Sequence, residues 1–137
     1  EDIIDLYVFD RQFRLFVLDA IEKIEISFRT QIIYNWAVHH GSHWHTIQSL
    51  YRNAGQFIKD SSRLQQEVDR STETFISHYK NTYTSPTDPP CWMSLEVASM
   101  GLLSIIFQNL KNGSEKAAVV KYYGLNKVDI LFKLSVE

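Results

Sequence analysis

Apolar residues recur near the start of the chain at Leu6, Phe9, Phe13, Phe16, Val17, Ala20, Ile21, Ile24, Phe28 and Ile32. Steps of three and four put them in one stripe on a helix. The pattern predicts a helix from about Asp10 to His39, capped by Asp5 or Asp10 and stopped by Gly41. Thirty residues at 1.5 Å each give about 45 Å. A helix of that length needs partners along its whole apolar stripe, so the other elements are expected to pack against it. A second stripe runs beside the first: Arg11, Arg14, Leu18, Glu22, Glu25 and Arg29. It spans about 80° at roughly 100° per residue. Leu15, Ile26 and Ile33 are apolar again on its far side. Charge bordered by apolar residues on both sides is not expected to lie wholly in open solvent.

The segment from His39 to Arg63 is the least periodic. Ile47, Leu50 and Tyr51 suggest a short helix, and Gly55 and Asp60-Ser61-Ser62 read as breaks. A second long helix is predicted from Ser62 to about Tyr83, polar over half its length and so on the surface. Three prolines between Thr84 and Pro90 exclude helix there. A nearly all-round apolar helix, Trp92 to Leu110, follows and reads as buried. Glu96 is its lone acid and is expected to pair with an arginine of the first helix. Gly101 suggests a close helix crossing. Gly113 is placed to end this helix, Ser114 to Tyr123 reads as a short helix, and Asn126 caps a last one. No strand-like alternation competes, and the fold class is all-α.

Composition changes little. The chain has 137 residues with 45% apolar and 22% charged content and a net charge of -2, which suits one globular domain, residues 1–137. No apolar run reaches the roughly 18 residues of a membrane span. The single Cys91 excludes an internal disulfide framework and suits a reducing cytoplasm. The chain starts without Met and stops inside a helical pattern, so it reads as a fragment truncated at its C-terminal side.

Few constellations carry chemistry. His39, His40, His43 and His45 cluster around Gly41, but their spacing matches no ligand pattern, and a polar turn is the preferred reading over a metal site. Cys91 has no neighbouring base and reads as structural. There is no phosphate loop, HExxH or GxSxG, so neither metal nor cofactor is expected. The charged stripe is the sharpest feature. It reads either as a salt-bridge ladder, with Glu25 and Arg29 in the favourable i,i+4 order, or as a polar cleft in which arginines hold phosphates. The residues leave both open.

The run Tyr7, Phe9, Asp10, Arg11, Arg14, Ile21, Glu22, Ile24, Glu25 and Arg29 resembles the opening signature of the Abi-like family of bacterial abortive-infection proteins, the AbiD and AbiF group. Further matches follow in the family's order: Gly41 with Trp44; Phe75-Ile76 with His78-Tyr79 and Tyr83; Pro90, Trp92 and Glu96; Gly101, Leu103 and Ser104; Asn109-Leu110; and Tyr122 to Leu125. The resemblance implies a HEPN-like helical bundle that dimerises, and a phage-defence protein that is a metal-independent endoribonuclease or an RNA-binding toxin. It also implies RNA as a partner and control by an antitoxin or a regulatory RNA. In HEPN-type enzymes the catalytic pair is Arg-x(4–6)-His on a late helix, the His working as general acid or base and the Arg stabilising phosphate charge. No such pair exists here: Arg70 and His78 have seven residues between them, and Arg70 is the last arginine. No catalytic residue is therefore assigned in this chain. Arg11, Arg14, Glu22, Glu25 and Arg29 are the candidate RNA-binding or site-wall residues. The alternative is a non-catalytic helical module that binds RNA or protein, antitoxin-like or a dimerising partner.

Overall fold

The computed structural model describes residues 1–125, and the helix expected from Asn126 lies outside them. The first element is α1 (Asp2–His40), 39 residues or about 58 Å long. It starts at Asp2 rather than near Asp10, because Asp2 and Asp5 place carboxylates in its first turn, where the helix dipole favours them. It ends where expected. Gly41 takes φ 86°, in the left-handed region that costs glycine no Cβ clash, and its N–H reaches Ala37 O at 2.9 Å.

Two short 3₁₀ turns, Trp44–Thr46 and Gln48–Leu50, occupy the stretch read as one short helix. The expected helix from Ser62 to Tyr83 is replaced by two, α2 (Ala54–Arg70) and α3 (Thr74–Thr82). The start moves upstream because Asn53 Oδ1 caps Gln56 N–H at 2.9 Å. Asp60, read as a breaker, is held inside the helix by Gln56 Nε2 at 2.7 Å. The division falls at Ser71-Thr72-Glu73, where the Ser71 hydroxyl accepts from Glu73 N–H at 3.2 Å. Short polar side chains compete there with the helical ladder. α2 is also not purely superficial: Asp60, Leu64 and Val68 are buried, and it packs on the helix Met100–Asn109.

The expected helix from Trp92 to Leu110 is likewise two, α4 (Cys91–Ser94) and α5 (Met100–Asn109), joined by Leu95–Ser99. α6 (Ser114–Tyr122) follows as expected. Gly101 is exposed, and a Cβ there meets nothing within 4 Å, so the close crossing expected at this glycine is absent. Tyr51 and Leu110 form an isolated antiparallel bridge. Beside it the Asn109 carboxamide accepts from Asn53 N–H and donates to Asn53 O, both at 3.0 Å, which ties the end of α5 to the start of α2. Among the described residues there is no strand, and no helix is long and apolar enough to cross a membrane.

The core lies against the C-terminal third of α1. Phe28, Ile32 and Trp36 are its buried residues, and Phe107 of α5 meets Phe28 and Trp36 edge-on at 5.3 and 6.1 Å. Trp44 packs on Trp36 at 5.7 Å. α6 covers the same end of α1, with Tyr123 Oη donating to Ser27 Oγ at 2.9 Å. Before Phe28 nothing on α1 is buried, and Leu6, Phe9, Phe13, Phe16, Ile21 and Ile24 are exposed. The expectation that the other elements pack along the whole stripe is corrected: they cover one end of it. Ile32→Ala is therefore expected to cost about 2–5 kcal/mol in urea unfolding, and Leu6→Ala no more than about 0.5 kcal/mol. Equal losses would contradict this division of α1.

Candidate functional site

The site is built from the interruption between α4 and α5. A helix broken there frees carbonyls at one end and N–H groups at the other, and both sets find charged partners. Arg29 Nη1 donates to Leu95 O at 2.9 Å and to Ala98 O at 3.0 Å, and also to Glu96 O. The Glu67 carboxylate on α2 accepts from Ser99 N–H at 2.7 Å and from Ser99 Oγ at 3.0 Å. Ser99 Oγ in turn caps Leu102 N–H at 3.4 Å. A positive group thus serves the carbonyl end and a negative group the amide end, the favourable sense for helix termini. Glu96 itself is exposed. The expected carboxylate–arginine pair is corrected: the arginine of α1 arrives at the right segment but binds its backbone.

The other candidate residues share α1 with Arg29 but not its surroundings. Arg11, Arg14 and Glu22 are exposed and Glu25 is half-buried. Arg14 pairs with Asp10 at 2.9 Å, with 75% of the arginine side chain open to solvent, an arrangement worth about 0.3–0.5 kcal/mol. No ion pair joins Glu25 to Arg29 among the described residues, so the salt-bridge ladder does not form there. The structure brings Arg29 into the bundle and leaves Arg11, Arg14 and Glu22 along the uncovered half of α1.

A groove of about 660 Å³ opens next to the interruption, lined by Glu67, Arg70, Glu73, Phe75, Glu96 and Ser99 among others. Its three carboxylates, Glu67, Glu73 and Glu96, stand against the one guanidinium of Arg70. The histidines are used separately. His40 Nε2 meets Glu115 Oε1 at 2.9 Å, joining α1 to α6, and this partner helps hold the Glu115 carboxyl below its usual range, after its own backbone N–H. His43 bonds Asp88 O at 2.9 Å, and His39 bonds Asn35 O at 2.9 Å. His45 is buried, and burial, aided by His43, pushes its pKa down to about 4. Burial also raises the Cys91 thiol above its ordinary value, which suits a structural cysteine.

The profile of the Abi-like protein family matches residues 1–136. The chain belongs to the Abi-like family. That membership points to abortive-infection phage defence. No curated protein and no solved structure matches the chain. Within the Abi-like signature, Arg29 is the residue whose placement the structure explains most fully.

Several groups that hold this Abi-like chain together gave no signal in the sequence. Glu67 lies in a polar helix and looks solvated, yet its carboxylate holds the N-terminus of α5 through Ser99. Lys116 is 2% exposed; its Nζ donates to Gln108 O at 3.2 Å and stands 5.1 Å from the centre of the Phe107 ring. A lysine three residues past a glycine carries no sequence mark of burial.

Two outcomes follow. Arg29→Met is expected to lower stability by about 2–3 kcal/mol through loss of charge-assisted bonds to carbonyls, and Arg29→Lys to recover only part, because an ammonium is a poorer fit to several acceptors. A urea midpoint unchanged in Arg29→Met would remove the clamp. The second concerns His45. Its folded pKa of about 4 lies below the unfolded 6.5, so the unfolded chain binds more protons between these values. Its contribution is complete above pH 6.5 and is lost as pH falls toward 4, up to about 3 kcal/mol. The raised Asp60 carboxyl acts in the opposite sense at the acidic end. His45→Gln is expected to flatten the fall in unfolding free energy over that window, and an unaltered slope would count against it.

Proposed function

We propose that residues 1–137 are a helical domain of an abortive-infection protein that acts on RNA in the cytoplasm, as a HEPN-like metal-independent endoribonuclease or RNA-binding toxin. The protein works as a homodimer, held in check by an antitoxin or a regulatory RNA. The observation that carries the reading is the family match across residues 1–136. The reacting groups are an Arg-x(4–6)-His pair, which this stretch does not contain. Its histidine moves the proton of the RNA 2′-hydroxyl or leaving oxygen, and its arginine stabilises the phosphate. Arg11, Arg14, Glu22, Glu25 and Arg29 have a positioning role and order the wall on which that pair stands. For Arg29 this role is supported by its hold on the carbonyls of Leu95, Glu96 and Ala98.

A surface for the RNA backbone is available on α2. Lys59, Arg63 and Arg70 are exposed and fall within about 40° of one another around the helix. None of them makes an ion pair among the described residues, and cations so placed suit phosphate contacts. A second reading, the non-catalytic binding module, is favoured by the bare apolar half of α1, since an exposed apolar patch of that extent marks an interaction surface.

Two measurements decide between them. The reading frame is expected to continue past Glu137 into an Arg-x(4–6)-His pair, and protein of that length to cleave RNA with EDTA present. Binding without cleavage makes the protein a module. Replacing Lys59, Arg63 and Arg70 with alanine is expected to lower affinity for single-stranded RNA and to reduce the slope of log K against log salt by about 2. An unchanged slope takes RNA off α2.

A further inference from the structure

On α1 before Phe28, where Arg11, Arg14 and Glu22 are exposed and Glu25 is half-buried, the charges are segregated. The bases Arg11 and Arg14 precede Leu18 and the acids Glu22 and Glu25 follow it. Arg11 and Glu25 each lie seven residues from Leu18, Arg14 and Glu22 four, and Leu15 and Ile21 three. At roughly 100° per residue the four charges fall within about 40° of Leu18 around the helix, and Leu15 and Ile21 flank them at about 60° on opposite sides. Leu15, Leu18 and Ile21 are 58%, 56% and 45% exposed. Within the helix these four charges make one ion pair among the described residues, Arg14 with Asp10. The position four residues beyond Arg14 is Leu18, the one beyond Glu22 is Ile26, and Arg29, four beyond Glu25, is engaged by carbonyls.

A two-fold interface repeats every contact i–j as j–i, and this stripe is self-complementary under that operation. We propose that α1 pairs with α1 of a second copy of the chain, antiparallel, with the two-fold axis at Leu18. Arg11 then meets the partner's Glu25, and Arg14 meets the partner's Glu22. Both contacts are made twice, around a small apolar centre of Leu15, Leu18 and Ile21 from each copy. A parallel pair would set Arg11 and Arg14 against themselves and Glu22 and Glu25 against themselves. The Arg14–Asp10 pair is exposed and yields readily. The bundle covers the same side of α1 from Phe28 onward. The helices must therefore cross at an inclination, of the order of the common −50° class, which limits contact to about two turns either side of Leu18. This deepens the dimeric part of the proposed function, on which it rests, and is independent of the RNase chemistry: the second copy is what orders the charged wall.

The test is a charge swap read by sedimentation equilibrium of the 137-residue chain. The unaltered chain is expected to be dimeric, Arg11→Glu with Arg14→Glu monomeric, and Glu22→Arg with Glu25→Arg monomeric. All four changes in one chain restore the dimer, and mixing the two double variants gives a heterodimer. These side chains lie outside the core, and far-UV circular dichroism checks that the helices persist. Leu18→Cys is expected to oxidise to a cross-linked dimer and Phe16→Cys, on the opposite side of α1, to remain uncrosslinked; Cys91 is buried and does not compete. A chain that is monomeric at every concentration overturns this proposal together with the dimeric reading. A dimer that survives both double variants, or cross-links through Phe16→Cys and not Leu18→Cys, overturns this surface and leaves the dimeric reading standing.

Discussion

The bundle depends on how the broken backbone between α4 and α5 is satisfied. Half-buried carbonyls without partners cost about 1–3 kcal/mol each; Leu95 and Ala98 present two of them to one guanidinium, and the exposed Glu96 carbonyl joins them. That demand fixes Arg29, and with it the rotation of α1 about its own axis. Phe28, Ile32 and Trp36 then face the core, and Phe107 can settle edge-on against two of them. Glu67 does the corresponding work at the amide end and fixes α2 against α5. Two charges from two helices thus set the geometry of a third, and the apolar core fills the space they define.

α1 carries two separate tasks along its length. Its C-terminal third is a core element and its first two thirds are not. Large apolar side chains there remain in contact with water, and they lie on nearly every side of the helix. Soluble chains rarely keep so much apolar surface open without an interaction to cover it. The charged stripe shares this half, and its charges do not neutralise one another in place. Surface and charge pattern both call for something outside the described bundle.

The period-3.6 signal was sufficient for the existence of α1 and for the all-α class, and Gly41 for the stop of α1, but neither the start at Asp2 nor the uncovered first two thirds of the stripe was legible in it. The divisions at Ser71–Glu73 and Leu95–Ser99 were not legible for different reasons. In the first, Asp60-Ser61-Ser62 and Ser71-Thr72 look alike as breakers, and only the Asn53 cap and the Gln56–Asp60 bond decide which of them breaks. In the second, a segment apolar on all sides has no phase to lose, so an interruption leaves the pattern unchanged. The importance of Arg29 was legible in the family signature, but its acceptors are backbone carbonyls, which carry no residue identity. Glu96 was read as the partner because it was the acid at hand; the backbone beside it was the partner instead. Gly101 had no packing reason, and a position in the first turn of α5, beside its cap, accounts for the tolerance.

The uncovered half of α1 is continuous with a half locked in the bundle, and that changes its energetics. An isolated helix of this length would have to nucleate, at a cost that makes short helices marginal in water. Here the core supplies the nucleus, and the remaining turns need only propagate from it. The apolar and charged stripes are therefore displayed on a stiff rod of about 36 Å, from Asp2 to Glu25, before any partner arrives. A preordered surface avoids much of the conformational entropy loss that weakens association. Whatever covers α1 meets Arg11, Arg14, Glu22 and Glu25 already in register with Arg29, and through Arg29 with the interruption on which the bundle is hung. A partner on the first two thirds of α1 would thereby be linked to Arg29 and its carbonyl acceptors through one continuous helix.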